Sequence, residues 1–213
     1  MNARRRGGPG RARGERGSII VEFALVLPLL LMLVLGVIEF GTVHRNRTMI
    51  SEGARSAARI ESQAGNSVNP NPSADLYALT TFASATSSLV GATLLKVVIY
   101  KSTTVAGTVP AACLTATMND SSPNGVAGVC NVYTPNQVAQ AASGSPAALA
   151  SFGCASPGTW DHQWCVSTRN ATLAGADWVG IWVQFRYENQ TSLLPYSSAT
   201  LTDSAVFRIE PSV

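Results

Sequence analysis

The sequence predicts an α+β protein: a single-pass N-terminal transmembrane helix extended into an amphipathic helix, followed by a small extracytoplasmic domain with an antiparallel β-sheet. Three observations lead there. Ile19 to Phe40 is an apolar run of 22 residues whose only ionisable members are Glu22 and Glu39, the length that a helix rising ~1.5 Å per residue needs to cross ~30 Å of hydrocarbon. From Arg45 to Ala64 there is no proline, and Ile50, Gly53, Ala54, Ala57, Ala58 and Ala64 recur at helical spacing on one face. Near the C-terminus, Val179, Ile181, Val183, Phe185 and Tyr187 alternate with Trp178, Gly180, Trp182, Gln184 and Arg186, the two-residue period of a strand with one buried face.

The chain has 213 residues, 46% hydrophobic and 13% charged, enough for one membrane helix and one domain of roughly 120–150 residues. Residues 1–17 form a basic leader with six arginines and one glutamate, a net +5, so the formal +3 of the whole chain becomes −2 without them. Downstream no cluster of lysine and arginine interleaved with aromatics remains, which argues against a nucleic-acid partner. The leader's arginines place the N-terminus in the cytoplasm by the positive-inside rule. Arg45, Arg47, Arg55 and Arg59 beyond the span, partly offset by Glu52 and Glu61, keep that bias modest.

Glu22 lies one turn inside the apolar run, where an unpaired carboxylate costs on the order of a few kcal/mol. An ordinary secretory signal peptide does not account for it, since no A-x-A pattern follows the run, which ends Gly41-Thr42-Val43-His44-Arg45. A buried soluble helix is disfavoured by the lack of a polar face between Phe23 and Ile38. A plain signal anchor, with Glu22 snorkelling to the headgroups, stays open as the competing reading. Pro28 interrupts the helix and predicts a bend of the kind membrane helices tolerate.

The leader, Gly17, and then Ser18-Ile19-Ile20-Val21-Glu22-Phe23 resemble the processing site of type IV prepilins in its Gly-x4-Glu-Phe form. Together with Glu22-Phe23-Ala24-Leu25-Val26-Leu27-Pro28, Gly36-x-Ile38-Glu39-Phe40-Gly41 and Gly53-Ala54-Arg55-Ser56-Ala57-Ala58-Arg59, the stretch from about 16 to 60 is similar to the N-terminal domain of TadE-like pseudopilins of the tight-adherence (Flp) pilus. The resemblance implies cleavage by a prepilin peptidase between Gly17 and Ser18, and pairing of Glu22, followed by Phe23, with the N-terminal ammonium of a neighbouring subunit. It implies a minor subunit that assists pilus assembly by lateral packing of its helix, with other pilin subunits, inner-membrane assembly machinery and the lipid bilayer as partners. The small-residue face of Ile50, Gly53, Ala54, Ala57 and Ala58 suits close approach of a neighbour. The alternative is an uncleaved single-pass protein whose outer domain binds a protein or surface ligand.

Four segments follow from this: 1–17 as leader, 18–64 as span (about 19–40) plus helical extension, 65–74 as a linker marked by two Asn-Pro pairs, and 75–213 as the outer α+β domain. Asp75 is positioned to cap a second helix running to about Leu89. Thr93 to Lys101 reads as a strand, Gly107 to Gly128 as a loop or ragged hairpin, and Val129 to Tyr133 as a short strand. Gln137 to Ala150 fits either a weak helix or a surface loop. Thr200 to Glu210 alternates like the preceding strand, and the connector from Asn189 to Ser198, with Leu193, Leu194 and Pro195, is long enough for an antiparallel return.

All four cysteines, Cys113, Cys130, Cys154 and Cys165, lie beyond the span, which suits an oxidising compartment and two disulfides. Three connectivities are open; Cys113–Cys130 with Cys154–Cys165 is favoured because each closes a short loop. No pair has C-x2-C spacing, so no metal site is expected. Of the two histidines, only His162 lies in the outer domain, next to Asp161, and no nucleophile or nucleotide motif accompanies it. No catalytic residue and no cofactor is expected. Trp160, Trp164, Trp178 and Trp182 are explained by packing as well as by any aromatic ligand face.

Overall fold

A computed structural model describes residues 15–64, 73–104, 107–154, 156–191 and 198–211. The leader up to residue 14, the Asn-Pro linker through residue 72, and Leu193, Leu194 and Pro195 of the connector lie outside the described residues. Helix α1 (Glu15–Ala64) is continuous over 50 residues and carries Pro28 inside it. The Ala, Leu and Glu content of this segment supports helix throughout.

Behind α1 come α2 (Ala74–Ala85), β1 (Ala92–Ser102), α3 (Ala111–Leu114), β2 (Asn124–Val126), β3 (Cys130–Tyr133), α4 (Pro135–Ser143), α5 (Pro146–Ala150), β4 (Trp178–Glu188) and β5 (Ser198–Arg208). The strands form one antiparallel sheet in the order β2-β3-β1-β4-β5. The β1–β4 pair aligns Val97 with Val183 and Ile99 with Ile181; the β4–β5 pair aligns Ile181 with Ala205 and Phe185 with Leu201. With alternate side chains on opposite faces, these residues share one face, and α1 and α2 pack over it.

That face carries the main core, where Ile50, Ala54, Ala57 and Ala58 of α1 meet Leu79 and Phe82 of α2 and the sheet residues just named. The small side chains bring α1 close to its neighbours. At Gly53 an added Cβ would stand 3.2 Å from both the Phe82 ring and Thr86 Cγ2. Gly53→Leu is therefore expected to destabilise the fold by about 1–3 kcal/mol through overpacking, read as a lower urea midpoint in detergent.

On the other face, Val98, Tyr100 and Val132 pack under the 107–119 excursion, which Cys113 fastens to Cys130 at the start of β3. Tyr100 lies flat across β4 because its partner there is Gly180, where a Cβ would fall 2.4 Å from the ring. The ragged 107–128 stretch holds the short helix α3 and strand β2, which a tight turn joins to β3. The ambiguous 137–150 stretch is helical in two pieces. Thr134 and Gln137 form a capping box on α4, Gly144 ends it at φ 61°, and Ser145 with Pro146 opens α5.

Asp75 does not cap α2. Ser73 occupies the cap position, and Asp75 sits in the first turn with its carboxylate fully buried and committed to Arg169, Tyr133 and Asn131. A carboxylate with a guanidinium in reach binds it more strongly than it binds a backbone amide.

Candidate functional site

The functional reading of the sequence centres on α1, and packing divides that helix near residue 39. From Ile19 to Ile38 the large apolar side chains are exposed; beyond Glu39 one face is buried in the domain. Ile19–Ala64 contains the one helix among the described residues that is long and apolar enough to cross a membrane. Twenty residues from 19 to 38 span about 30 Å, so the exposed apolar cylinder has the length of a bilayer core.

Gly17 and Ser18 lie in the first turns of α1, ahead of Glu22. Glu22 and Phe23 are both exposed, and Glu22 has no hydrogen-bond or ion-pair partner among the described residues. Glu39, the other acid of the apolar run, is treated differently. It is 1% exposed and accepts hydrogen bonds from the Tyr187 hydroxyl, the Gln190 and Thr191 amides and the Thr191 hydroxyl. The domain satisfies one carboxylate fully and leaves the other bare.

Ile50, Gly53, Ala54, Ala57 and Ala58 are buried against the chain's own α2 and sheet. Close packing on this face is intramolecular: α2 and the sheet of the same chain cover it. Three polar contacts set the register of this smooth face. Glu39 holds the β4–β5 end; Asn46 donates to the Val90 carbonyl at 2.7 Å; and Glu61 enters a charge cluster about 33 Å further along the helix.

In that cluster Arg169 donates from Nη1 to Glu61 and from Nη2 to Asp75 at 2.5 Å, with all three side chains fully buried. Asp75 also accepts from the Tyr133 hydroxyl and from Asn131 Nδ2 at 2.8 Å. The guanidinium lies 4.3 Å from the Trp164 ring centre, an added cation–π contact. Burial alone would lower the Arg169 pKa, but Asp75 and Glu61 more than offset it, and the guanidinium stays charged. Burial raises the Tyr133 phenol, Asp75 raises it further, and it remains a donor.

Glu61 is the group that titrates. Burial first, then the Asp75 charge, push it from its ordinary 4.5 to about 8, against the opposing pull of Arg169. Between those values the folded chain holds a proton that the unfolded chain has released. Stability from this source is intact below about 4.5 and is lost as pH rises through about 8. Thermal unfolding of the wild type is expected at a lower temperature at pH 8.5 than at pH 6, and Glu61→Gln should flatten that slope.

Cys113–Cys130 and Cys154–Cys165 are both bonded, with Cα atoms 6.3 and 5.7 Å apart. The second closes a loop whose turn is held by Asp161, which accepts from the Gly153 and Cys154 amides. His162 is exposed beside it. Among the described residues no group of three or more His, Cys, Asp or Glu side chains is placed to hold a metal ion. A cleft of about 320 Å³ between α1 and β5 is lined by Arg47, Ile50, Thr200, Leu201, Thr202 and Asp203, a set with no nucleophile and base in partnership.

These features define a class: an α+β domain built directly onto a long N-terminal helix whose first half is an exposed apolar cylinder. Residues 17–59 match the family described as TadE-like protein, a family associated with the Tad pilus. The match covers the apolar run and the small-residue face of α1, and it stops before α2 and the sheet. No curated protein and no solved structure matches the chain.

Proposed function

We propose that the chain is a minor, pilin-like subunit assisting assembly of a tight-adherence pilus, anchored through residues 19–40 with its outer domain extracytoplasmic. Prepilin peptidase cuts between Gly17 and Ser18, and the carboxylate of Glu22 pairs with the Ser18 ammonium of an adjacent subunit. The observation that carries this reading is the contrast between the two acids of the apolar run. Glu39 is buried under four donors from its own domain, whereas Glu22 stands exposed on an apolar helix without a partner among the described residues. A carboxylate in hydrocarbon is stabilised when a second chain brings a cation to it, each charge removing the other's desolvation cost.

Lateral docking in this scheme uses the exposed surface from Ile19 to Ile38, since the Ile50 to Ala58 face is already filled. The TadE-like match over 17–59 supports the assignment to pilus assembly. Intact-mass measurement of the protein purified from its native membrane tests the processing step. A chain beginning at Ser18 is expected; an uncut N-terminus would favour a simple anchored protein whose outer domain binds a partner.

A further inference from the structure

We propose that the base of the outer domain formed by Tyr187 to Thr191 beside Glu39 and Phe40 is a bilayer-contact surface that rests in the phospholipid headgroup layer, held at that depth by Glu39. This rests on the reading of α1 as a membrane span. The depth follows from where the domain grips the helix. Its lowest described segment, Tyr187 to Thr191, closes directly on Glu39 through the Tyr187 hydroxyl, the Gln190 and Thr191 amides and the Thr191 hydroxyl. Glu39 is the first buried residue after the twenty residues of apolar helix from Ile19 to Ile38, so the segment that covers it lies level with the edge of the hydrocarbon.

No free stretch of chain separates span from domain. Asn46 binds Val90, and the Glu188 amide donates to the Gly91 carbonyl at 2.7 Å, tying the α2–β1 turn, the end of β4 and α1 into one base. The domain therefore cannot swing away from the membrane about a flexible neck.

The chemistry of the base suits headgroups. Phe40 is 74% exposed next to Glu39 and stacks on His44 at 6.5 Å, an aromatic at the boundary level. One to two turns above stand exposed Arg45 and Arg47, within reach of lipid phosphates. The acid at this level, Glu39, is withdrawn beneath Tyr187, Gln190 and Thr191 and does not repel them. Gln190 is exposed and neutral. Glu188, also exposed, is paired with Arg186.

The test uses the full chain in phospholipid nanodiscs. All four native cysteines are in disulfides, so a single introduced cysteine can carry a fluorescent label at Gln190→Cys, at Leu173→Cys or at Leu30→Cys. Leu173 is a control at the far end, where its carbonyl accepts from Arg208, whose own carbonyl accepts from Ser62 near the end of α1. A nitroxide on the lipid headgroup is expected to quench the Gln190 label several-fold more than the Leu173 label. A nitroxide on the acyl chain is expected to quench Leu30. Quenching at Gln190 no stronger than at Leu173, with Leu30 quenched, would overturn the contact while leaving the span intact. An unquenched Leu30 would remove the membrane reading itself, and the contact with it.

Discussion

Replacing Arg169 by leucine is expected to cost about 3–5 kcal/mol of stability, the largest loss foreseen for a single change outside the apolar core. The reason is what remains behind. Glu61 and Asp75 are both fully buried, and without the guanidinium between them two acids share one water-free site. Proton uptake by Glu61, already favoured by its pKa of about 8, relieves part of this. The loss should then be greater at pH 8.5 than at pH 6. Asp75 keeps its bonds from Tyr133 and Asn131, so the damage centres on Glu61 and on the joint it makes between α1 and the loop bearing Arg169. Urea unfolding in detergent, followed by tryptophan fluorescence, reads the effect at both pH values. A loss under about 1 kcal/mol at pH 8.5 would mean that the cluster is open to water.

With the proposed pairing to a neighbour's Ser18, Glu22→Ala is expected to abolish co-purification with pilin subunits while leaving the unfolding of the α+β domain unchanged. Both halves matter. Glu22 touches nothing in its own domain among the described residues, so its removal leaves no local gap. Removing a lone carboxylate from the apolar cylinder should, if anything, ease insertion. Glu39→Ala should do the reverse. It removes the carboxylate on which the Tyr187 and Thr191 hydroxyls and two amides converge, and losing such an acceptor costs about 1–3 kcal/mol. Assembly that survives Glu22→Ala would count against the proposed pairing with Ser18. A Glu39→Ala protein as stable as wild type would count against the grip at the membrane edge.

Periodicity and length encode the long elements. An apolar run of 22 residues and two strongly alternating segments each admit one reading, and α1, β4 and β5 follow. Local punctuation is present as well: Thr134 with Gln137, Gly144, and Ser145 before Pro146 are the caps of two short helices. Hints of the polar joints were also present. Glu39, Asn46 and Glu61 fall on the same face as Ile50, Ala54 and Ala57, where an acid or amide has no business unless it is met. Arg169 is the one lysine or arginine between Lys101 and Arg186.

Which residues meet them is settled by long-range contacts. Asp75 reads locally as a helix cap, yet Arg169, 94 positions away in the chain, claims it. The Ile50 to Ala58 face reads equally well as a surface for a neighbouring molecule or for the chain's own sheet, because small side chains admit any close partner. Spacing along a helix fixes which side chains share a face, but not what arrives there. That choice is made by contacts between residues far apart in the chain, when the sheet closes and the charges that would be left dry find one another.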